Sequence, residues 1–331
     1  MRTLLLVSAF ALLASVAPAV AAEPAGHDCL AGAQRVLFLG DSITHSGKYV
    51  AYIETYLRLH DPKLAVEFVN CGLSSETVSG ISEEGHAGGK FPRPDVHERL
   101  DRVLAGVKPD FVVACYGMNC GIYHPLNEER FAKYRAGMEL LRKKCAAAGV
   151  KHVLHVTPPV FDPVPIKARV LPAGRDAYPQ PYEGYNEVLD AYSAWLVSKR
   201  ADGWDVVDTH SPMNAYIAAQ RKSDPEFTLA KDGIHPNNLG HWLIARPILI
   251  HFGAPASALQ ACPGGEAAIG AKPHGLEVLK LVEQRLALMH DAYLTATKHQ
   301  RPGVKEGLPL DEAKTKAKEL EQKIASLLPS N

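Results

Sequence analysis

The amino-acid sequence predicts an α/β fold, with a parallel β-sheet covered on both faces by helices. Stretches with helical periodicity separate short β-rich runs, and in one of them Tyr134, Met138 and Leu141 follow at steps of four and three. Strands that alternate with helices along a chain typically form a parallel sheet. The five β-rich runs are residues 35–40, 65–70, 110–117, 151–157 and 204–209.

The N-terminus has the three parts of a secretory signal peptide. Arg2 supplies a positive charge, residues 4–16 form an apolar run, and Ala19 and Ala21 frame a cleavage site. The apolar run is too short to span a bilayer, and no later segment approaches about 18 uninterrupted apolar residues. We therefore expect residues 1–22 to be removed, leaving a protein that is exported to the periplasm or the exterior and is not inserted in the membrane.

Composition and charge exclude several classes of partner. Lys and Arg number 36, as do Asp and Glu, and this balance provides no electrostatic attraction to nucleic acid or to an anionic membrane. Apolar residues make up 47% of the chain, enough for the core of one large domain, which we place at residues 30–255. The glycine motifs that bind nucleotides are missing, and so is any Cys-x-x-Cys pair, so neither a cofactor nor a metal is expected.

A helical hairpin is predicted at the C-terminus, at residues 266–331. A segment rich in Pro and Gly joins its two helical stretches, and Asp311 is well placed to cap the second. That stretch carries an apolar stripe at steps of three and four, formed by Leu310, Ala313, Ala317, Leu320, Ile324 and Leu327. The stripe must pack either on the main domain or on another chain, so the oligomeric state stays open.

The first strand ends abruptly on Gly40, Asp41 and Ser42. A glycine at the end of a β-rich run is typical of a tight turn from strand to helix, and the residue at the tip of that turn is held exposed for chemistry. Since ligands of open parallel sheets gather beyond the carboxyl ends of the strands, Ser42 is the candidate nucleophile. Gly72 and Asn119 follow the second and third strands, and their N–H groups are candidate donors to an oxyanion.

A base for Ser42 is predicted near the other end of the chain. His235 follows Asp232 by three residues in a loop just before a helix. This spacing lets the carboxylate bind the near ring nitrogen and leaves the other nitrogen free to face a serine hydroxyl. His241, on that helix beside Trp242, is interpreted as a packing residue.

Several further residues are candidates for contact with substrate. The long loop at residues 82–97 is either a functional lid or a plain surface excursion. Lys90 and Arg93 in this loop could bind an acidic or sugar substrate. Asp41 and His45, which flank Ser42 in the sequence, complete the set.

Four short blocks resemble, in the same order, those of the SGNH/GDSL hydrolase family. They are GDSI at 40–43, Gly72, GMN at 117–119 and DGIH at 232–235. The resemblance covers residues 35–252 and implies a three-layer α/β/α sandwich with five strands in the order 2-1-3-4-5. It also implies ester hydrolysis through an acyl-enzyme, without a metal.

The same resemblance implies a role for each site residue. Ser42 is the nucleophile, His235 the base and Asp232 the group that orients it, while Gly72, Asn119 and the Ser42 N–H form the oxyanion hole. Family likeness and export together point to esters of small acyl groups, acetyl in particular, on carbohydrate. A lysophospholipase or thioesterase is an alternative, although no long apolar groove is evident in the sequence.

One position departs from the family pattern. The third block of the family usually reads Gly-x-Asn-Asp, and Cys120 stands here at the place of the acid. The acid normally helps to hold the surrounding loop, so its loss bears on the placement of the Asn119 amide. Because losing one oxyanion donor lowers turnover by about 10²–10³-fold, a second alternative is a weak or inactive carbohydrate-binding protein with the same fold.

The six cysteines allow disulfides in an exported protein without requiring them. Cys29 precedes the first strand and Cys262 follows the last helix of the domain, which places both at the amino edge of the sheet and makes them the better pair. A bridge between Cys71 and Cys120 would need two loops to lean over the first strand. Cys115 and Cys145 are interpreted as small buried apolar residues.

Overall fold

A computed structural model of the protein describes residues 30–329. The predicted signal peptide, Cys29 and the last two residues lie outside this part of the chain. Five parallel strands form one sheet in the order β2-β1-β3-β4-β5, which confirms the order implied by the family resemblance. The strands are β1 Arg35–Gly40, β2 Glu67–Asn70, β3 Phe111–Cys115, β4 His152–Val156 and β5 Asp205–Val207.

The strands lie where the β-rich runs predicted them, and each is shorter than or equal to its run. All five residues of β3 are buried, which requires cover on both faces of the sheet. In the central register, Leu37 lies opposite Val69 on one side and Val112 on the other. Branched aliphatic side chains at paired positions pack well on a pleated surface, and this packing stabilises the centre of the sheet.

Helices cover both faces of the sheet, and several begin with the side-chain caps that sequence patterns favour. The Asp95, Asn127 and Asn237 side chains each accept a backbone N–H at the start of a helix. No helix within residues 30–329 is both long and apolar enough to cross a membrane. The helices are α1 Ser42–His45, α2 Lys48–His60, α3 Val96–Val107, α4 Glu128–Ala147, α5 Tyr185–Ser198, α6 His210–Gln220, α7 Asn238–His251, α8 Ala256–Ala261, α9 Gly265–Gly270, α10 Gly275–Ala296 and α11 Leu310–Leu327.

Helix α1 lies directly on the carboxyl ends of β1 and β2. A Cβ atom on Gly40 would come within 2.1 Å of Thr44 Oγ1, and a Cβ atom on Gly72 would come within 2.4 Å of the backbone nitrogen of His45. Only glycine permits such close approach of backbone to a neighbouring element. The abrupt end of the first strand on Gly-Asp-Ser thus allows a single helical turn to begin at Ser42, at the edge of the sheet.

The C-terminal hairpin packs on the same chain. Helix α10 contacts α2 and β2, and α11 packs along α10. Three ion pairs join α10 and α11 to α2: Lys48 with Glu283 at 2.7 Å, Arg58 with Glu321 at 2.9 Å, and Glu54 with Arg285. Within α11, Ala313, Ala317 and Ile324 are buried, as the apolar stripe predicted.

The predicted cap of α11 is wrong. The helix begins at Leu310 with Pro309 in the N-cap position, so Asp311 lies inside the first turn. An aspartate there still stabilises the helix, because its charge faces the positive end of the helix dipole. The pattern placed the start two residues late because a proline before a helix leaves no side-chain signal of capping.

The four cysteines nearest the sheet are buried free thiols. Burial raises the pKa of Cys71, Cys120 and Cys145 to about 12, and it also raises the pKa of Cys115 well above its ordinary value. The alternative of a Cys71–Cys120 bridge is therefore wrong. The Cys29–Cys262 pairing stays a prediction, because Cys29 lies outside the described residues.

These four thiols should resist alkylation in the folded protein. The thiolate is the reactive form, and burial disfavours it. We expect monobromobimane to leave all four unmodified in native protein at neutral pH and to modify all four once the chain is unfolded in guanidinium chloride. Peptide mapping by mass spectrometry assigns each site, and rapid native labelling of any of the four would contradict their burial.

Candidate active site

Ser42 and His235 meet at the carboxyl edge of the sheet. Ser42 is the first residue of α1, and its Oγ lies 2.8 Å from His235 Nε2. The start of α1 is fixed by Asp41, whose Oδ1 accepts the Ile43 N–H at 2.9 Å. This geometry presents the serine hydroxyl to an imidazole nitrogen that comes from 193 residues further along the chain.

Asp232 orients the imidazole from the other side. Its Oδ2 lies 2.6 Å from His235 Nδ1, and its Oδ1 accepts the backbone N–H groups of Ile234 and His235 at 3.0 and 2.8 Å. Partial burial raises the pKa of Asp232, but these hydrogen bonds outweigh burial and hold the pKa below its ordinary value. An ionised carboxylate only accepts, so Nδ1 carries the proton and Nε2 is left to accept from Ser42.

A buried aspartate that the sequence analysis did not single out holds the histidine loop. The Asp162 backbone N–H donates to the Gly233 carbonyl at 2.9 Å, and its carboxylate accepts from Arg221 and Thr228, each at 2.7 Å. Gly233 has φ +79°, and a Cβ there would come within 2.5 Å of the Asp162 carbonyl oxygen. Both features keep the Asp232–His235 turn in one conformation.

Gly72 and Asn119, two of the three predicted oxyanion donors, differ in how they are engaged. The Gly72 N–H donates to Asn70 Oδ1 at 2.9 Å, so it already has a partner. Asn119 Nδ2 donates to the Glu76 carbonyl at 3.2 Å, which leaves its second hydrogen available. Of these two, Asn119 is therefore the one with donor capacity that the protein leaves unused.

The loop that carries Asn119 is held without the acid that the family pattern would supply. The Tyr185 hydroxyl donates to the Met118 carbonyl at 2.8 Å and accepts the Gly121 N–H at 3.1 Å. The Ser79 hydroxyl donates to the Cys120 carbonyl at 3.3 Å, and the Cys120 side chain is buried. Three hydrogen bonds from neighbouring segments thus position the loop around Cys120.

The four candidate substrate contacts lie in different surroundings. Asp41 is buried beneath Ser42, and His45 Nδ1 donates to the Gly72 carbonyl at 3.3 Å. Lys90 lies exposed at the end of a short turn, whereas Arg93 points inward to Glu83 and Asn119. The structure therefore brings Arg93 and His45 to the site and leaves Lys90 on the surface.

Hydrogen bonds and an ion pair hold the two ends of the predicted lid loop together. The Arg93 guanidinium binds both carboxylate oxygens of Glu83 at 2.6 Å, and the Arg93 N–H donates to Ser82 Oγ at 2.9 Å. Residues 86–89 form a turn between these ends, and α3 starts at Val96. Opening of the loop as a lid stays a prediction.

A residue of the C-terminal hairpin also reaches the site. His290, on α10, donates from Nε2 to the Gly72 carbonyl at 2.9 Å and contacts the His45 ring edge-on at 4.5 Å. Burial first, and the neighbouring His290 second, lower the pKa of His45 to about 4. Both histidines line a cavity of about 390 Å³ together with Lys48 and Asp291. Within residues 30–329 no three His, Cys, Asp or Glu side chains converge as a metal site would need.

Replacing Asp41 with asparagine should stabilise the fold above about pH 6 and not at low pH. Burial raises the pKa of Asp41 to about 6, so the folded state favours the neutral acid. The stability contributed by that neutral form is complete at low pH and is lost as the pH rises through about 6. Asparagine keeps the capping oxygen and cannot ionise. The free energy of unfolding of Asp41→Asn should therefore exceed that of wild type by up to about 3 kcal/mol at about pH 8 and should equal it at about pH 4.

Urea unfolding at the two pH values measures this difference. The low-pH measurement is the internal control, because both side chains are then neutral. A gain of the same size at both pH values would contradict the titration of Asp41 and assign the effect to packing.

The parallel sheet in the order β2-β1-β3-β4-β5, with a serine, a histidine and an aspartate in a hydrogen-bonded line at its carboxyl edge, defines a hydrolase of the SGNH class. The sequence pattern of the GDSL-like lipase/acylhydrolase family matches residues 38–243, more than half of the chain. The chain belongs to this family and is a carboxylic ester hydrolase.

Individual relatives are more distant. The chain is 25% identical over 244 residues to an acetylxylan esterase from Geobacillus stearothermophilus, a match that covers 66% of this chain and 94% of that protein. The solved structure of a gut microbial diltiazem-metabolizing enzyme is 22% identical to this chain in sequence, with a TM-score of 0.51. That match covers 66% of this chain and 47% of the enzyme's chain. The crystal structure of a catalytic mutant of an acetylxylan esterase from Geobacillus stearothermophilus is 22% identical in sequence, with a TM-score of 0.49. That match covers 71% of this chain and 98% of the esterase chain. The match with the diltiazem-metabolizing enzyme supports the fold alone.

Proposed function

We propose that the protein is an exported serine esterase that removes small acyl groups, acetyl in particular, from carbohydrate. One observation carries the proposal: Ser42, His235 and Asp232 form a hydrogen-bonded line with distances of 2.8 and 2.6 Å. A serine hydroxyl becomes nucleophilic when a base takes its proton, and the base is most effective when a third group fixes its tautomer.

The reaction proceeds in two acyl transfers. His235 Nε2 takes the Ser42 proton as Oγ attacks the ester carbonyl, and the alcohol then leaves with that proton while the acyl group stays on Ser42. Water, activated by His235, attacks the acyl-enzyme and releases the acid, and Ser42 regains its proton. In both halves Asp232 holds the imidazole and stabilises its positive charge, and Asn119 Nδ2 donates to the oxyanion.

One comparison supports acetylated carbohydrate as the substrate. An acetylxylan esterase is 25% identical to this chain over 94% of that protein's length. Hydrogen bonds from Ser79 and Tyr185 to the Asn119 loop argue against a loss of activity through Cys120.

Export is a further part of the proposal. It is supported by the charged start, the apolar run and the small residues at 19 and 21 of the sequence. N-terminal sequencing of the protein recovered from outside the cytoplasm should find a start near residue 23, and recovery of the intact N-terminus from the cytoplasm alone would refute it.

A substrate panel tests the proposed activity. We expect purified protein to hydrolyse p-nitrophenyl acetate faster than the butyrate and octanoate esters and to release acetate from acetylated xylan. Palmitoyl-coenzyme A and lysophosphatidylcholine are the comparison substrates, and preference for either would favour the thioesterase or lysophospholipase alternative. Binding of acetylated xylan with no turnover of any ester would favour the non-catalytic alternative.

A further inference from the structure

The carbonyl oxygen of the Asn119 side chain accepts two hydrogen bonds. Arg93 Nη1 donates to Oδ1 at 2.9 Å, and the Tyr123 hydroxyl donates to the same atom at 2.9 Å. A guanidinium has donors only, so the amide oxygen must face Arg93 and the amide nitrogen must face the other way. Arg93 thereby selects the amide orientation in which Nδ2 is turned toward the Glu76 carbonyl and its second hydrogen is free for an oxyanion.

Arg93 is fully engaged within the protein. Its side chain is only 7% exposed, and Nε and Nη2 bind the two oxygens of Glu83 at 2.6 Å each. Bidentate pairs of this kind hold a guanidinium in a defined plane. With Nη1 on Asn119, all three nitrogens have partners, so Arg93 acts on Asn119 rather than on the substrate.

Tyr123 is held by an uncommon backbone conformation. Ile122 and Tyr123 have φ values of +50° and +59°, two successive left-handed residues, and a β-branched side chain rarely adopts such a value. The Tyr123 ring packs against Tyr185 at 4.9 Å, and the Arg93 guanidinium lies 5.3 Å from its centre. Strain of this kind persists only where surrounding contacts impose it, and here it aims the phenol at Asn119.

We infer that Arg93 and Tyr123 are positioning residues that orient and polarise the Asn119 amide. The inference rests on the proposed function. Hydrogen bonds to Oδ1 draw electron density from the amide and strengthen its Nδ2–H as a donor, because linked hydrogen bonds polarise one another. The benefit is largest in the transition state, when negative charge develops on the substrate oxygen.

Variants of the two residues test the inference. Arg93→Gln should lower kcat for p-nitrophenyl acetate by about tenfold to a hundredfold, less than the about 10²–10³ expected for loss of an oxyanion donor itself. Tyr123→Phe, which removes one hydroxyl and keeps the ring, should lower kcat by a smaller factor. KM should stay within about twofold in both, because the substrate ground state carries little charge on that oxygen.

The matched control is Arg102→Gln. Arg102 pairs with Glu98 on α3 at 2.7 Å, so this change also removes a guanidinium from an ion pair and should leave kcat unchanged. Arg93→Lys restores the positive charge and should recover part of the lost kcat. Affinity for phenylboronic acid, which forms a tetrahedral adduct on a nucleophilic serine, should fall in parallel with kcat, a change that a purely structural role would not produce.

Each result decides the inference. An active wild type with unchanged kcat and boronate affinity in Arg93→Gln and Tyr123→Phe would overturn the inference and leave the proposed function standing. A wild type without esterase turnover would overturn the proposed function and the inference together. A fall in kcat with an equal fall in Arg102→Gln would also overturn it, because the effect would then be one of general stability.

Discussion

Ser42→Ala should abolish ester hydrolysis, with kcat at least about 10⁴-fold below wild type. In the proposed mechanism Ser42 Oγ forms the bond of the acyl-enzyme, and alanine leaves no group 2.8 Å from His235 Nε2 to take its place. The oxyanion donors alone support only a small residual rate. Initial rates with p-nitrophenyl acetate measure the loss, and a fluorophosphonate probe should label wild type on Ser42 and leave the variant unlabelled.

The matched control is Ser46→Ala. Ser46 follows α1 directly, and its hydroxyl donates to the Ile43 carbonyl at 2.8 Å and faces His241 rather than His235. Its loss should leave kcat within about twofold of wild type, as is usual for residues outside a catalytic line. Full activity in Ser42→Ala, or equal loss in both variants, would contradict the assignment of the nucleophile.

Asp232→Asn should lower kcat by about 10⁴-fold while the fold is retained. In the wild type, Asp232 Oδ1 accepts two backbone N–H groups, and Oδ2 faces His235 Nδ1. Those two donors would hold the asparagine oxygen in the Oδ1 position, so its NH₂ group would point at Nδ1. Nδ1 must then accept, the proton moves to Nε2, and the imidazole has no lone pair left for the Ser42 proton.

The pH range of the defect follows from the ionisation of the wild-type carboxylate. Because hydrogen bonds hold the pKa of Asp232 low, the wild-type carboxylate stays ionised throughout the mildly acidic and neutral range. The defect in Asp232→Asn should therefore persist at every pH in that range. The control Asp224→Asn changes another loop aspartate, whose Oδ1 accepts the Glu226 N–H at 3.3 Å, and should leave kcat unchanged. Activity of Asp232→Asn near that of wild type would refute the orienting role.

The sequence by itself determined the strands and the chemistry at their ends. Buried strands need apolar, β-branched residues over short stretches, and this requirement is local, so the five runs predicted β1 to β5. The strand order came from the family resemblance. The pairing of Ser42 with His235 was predictable because Ser42 ends a strand at the ligand-binding edge of the sheet, and because the three-residue spacing from Asp232 leaves one ring nitrogen of His235 free for a serine hydroxyl.

Only the tertiary structure decided the contacts that complete the site. Arg93 meets Asn119 across 26 residues and His290 meets Gly72 across 218, and neither pair lies in a pattern with a fixed spacing. The packing of the hairpin on α2 belongs to the same class, because its apolar stripe suits any complementary surface. The sequence sets which local structures form and which reactive groups they carry. Side-chain direction and long-range contacts depend on how those elements pack, and packing is a property of the whole fold.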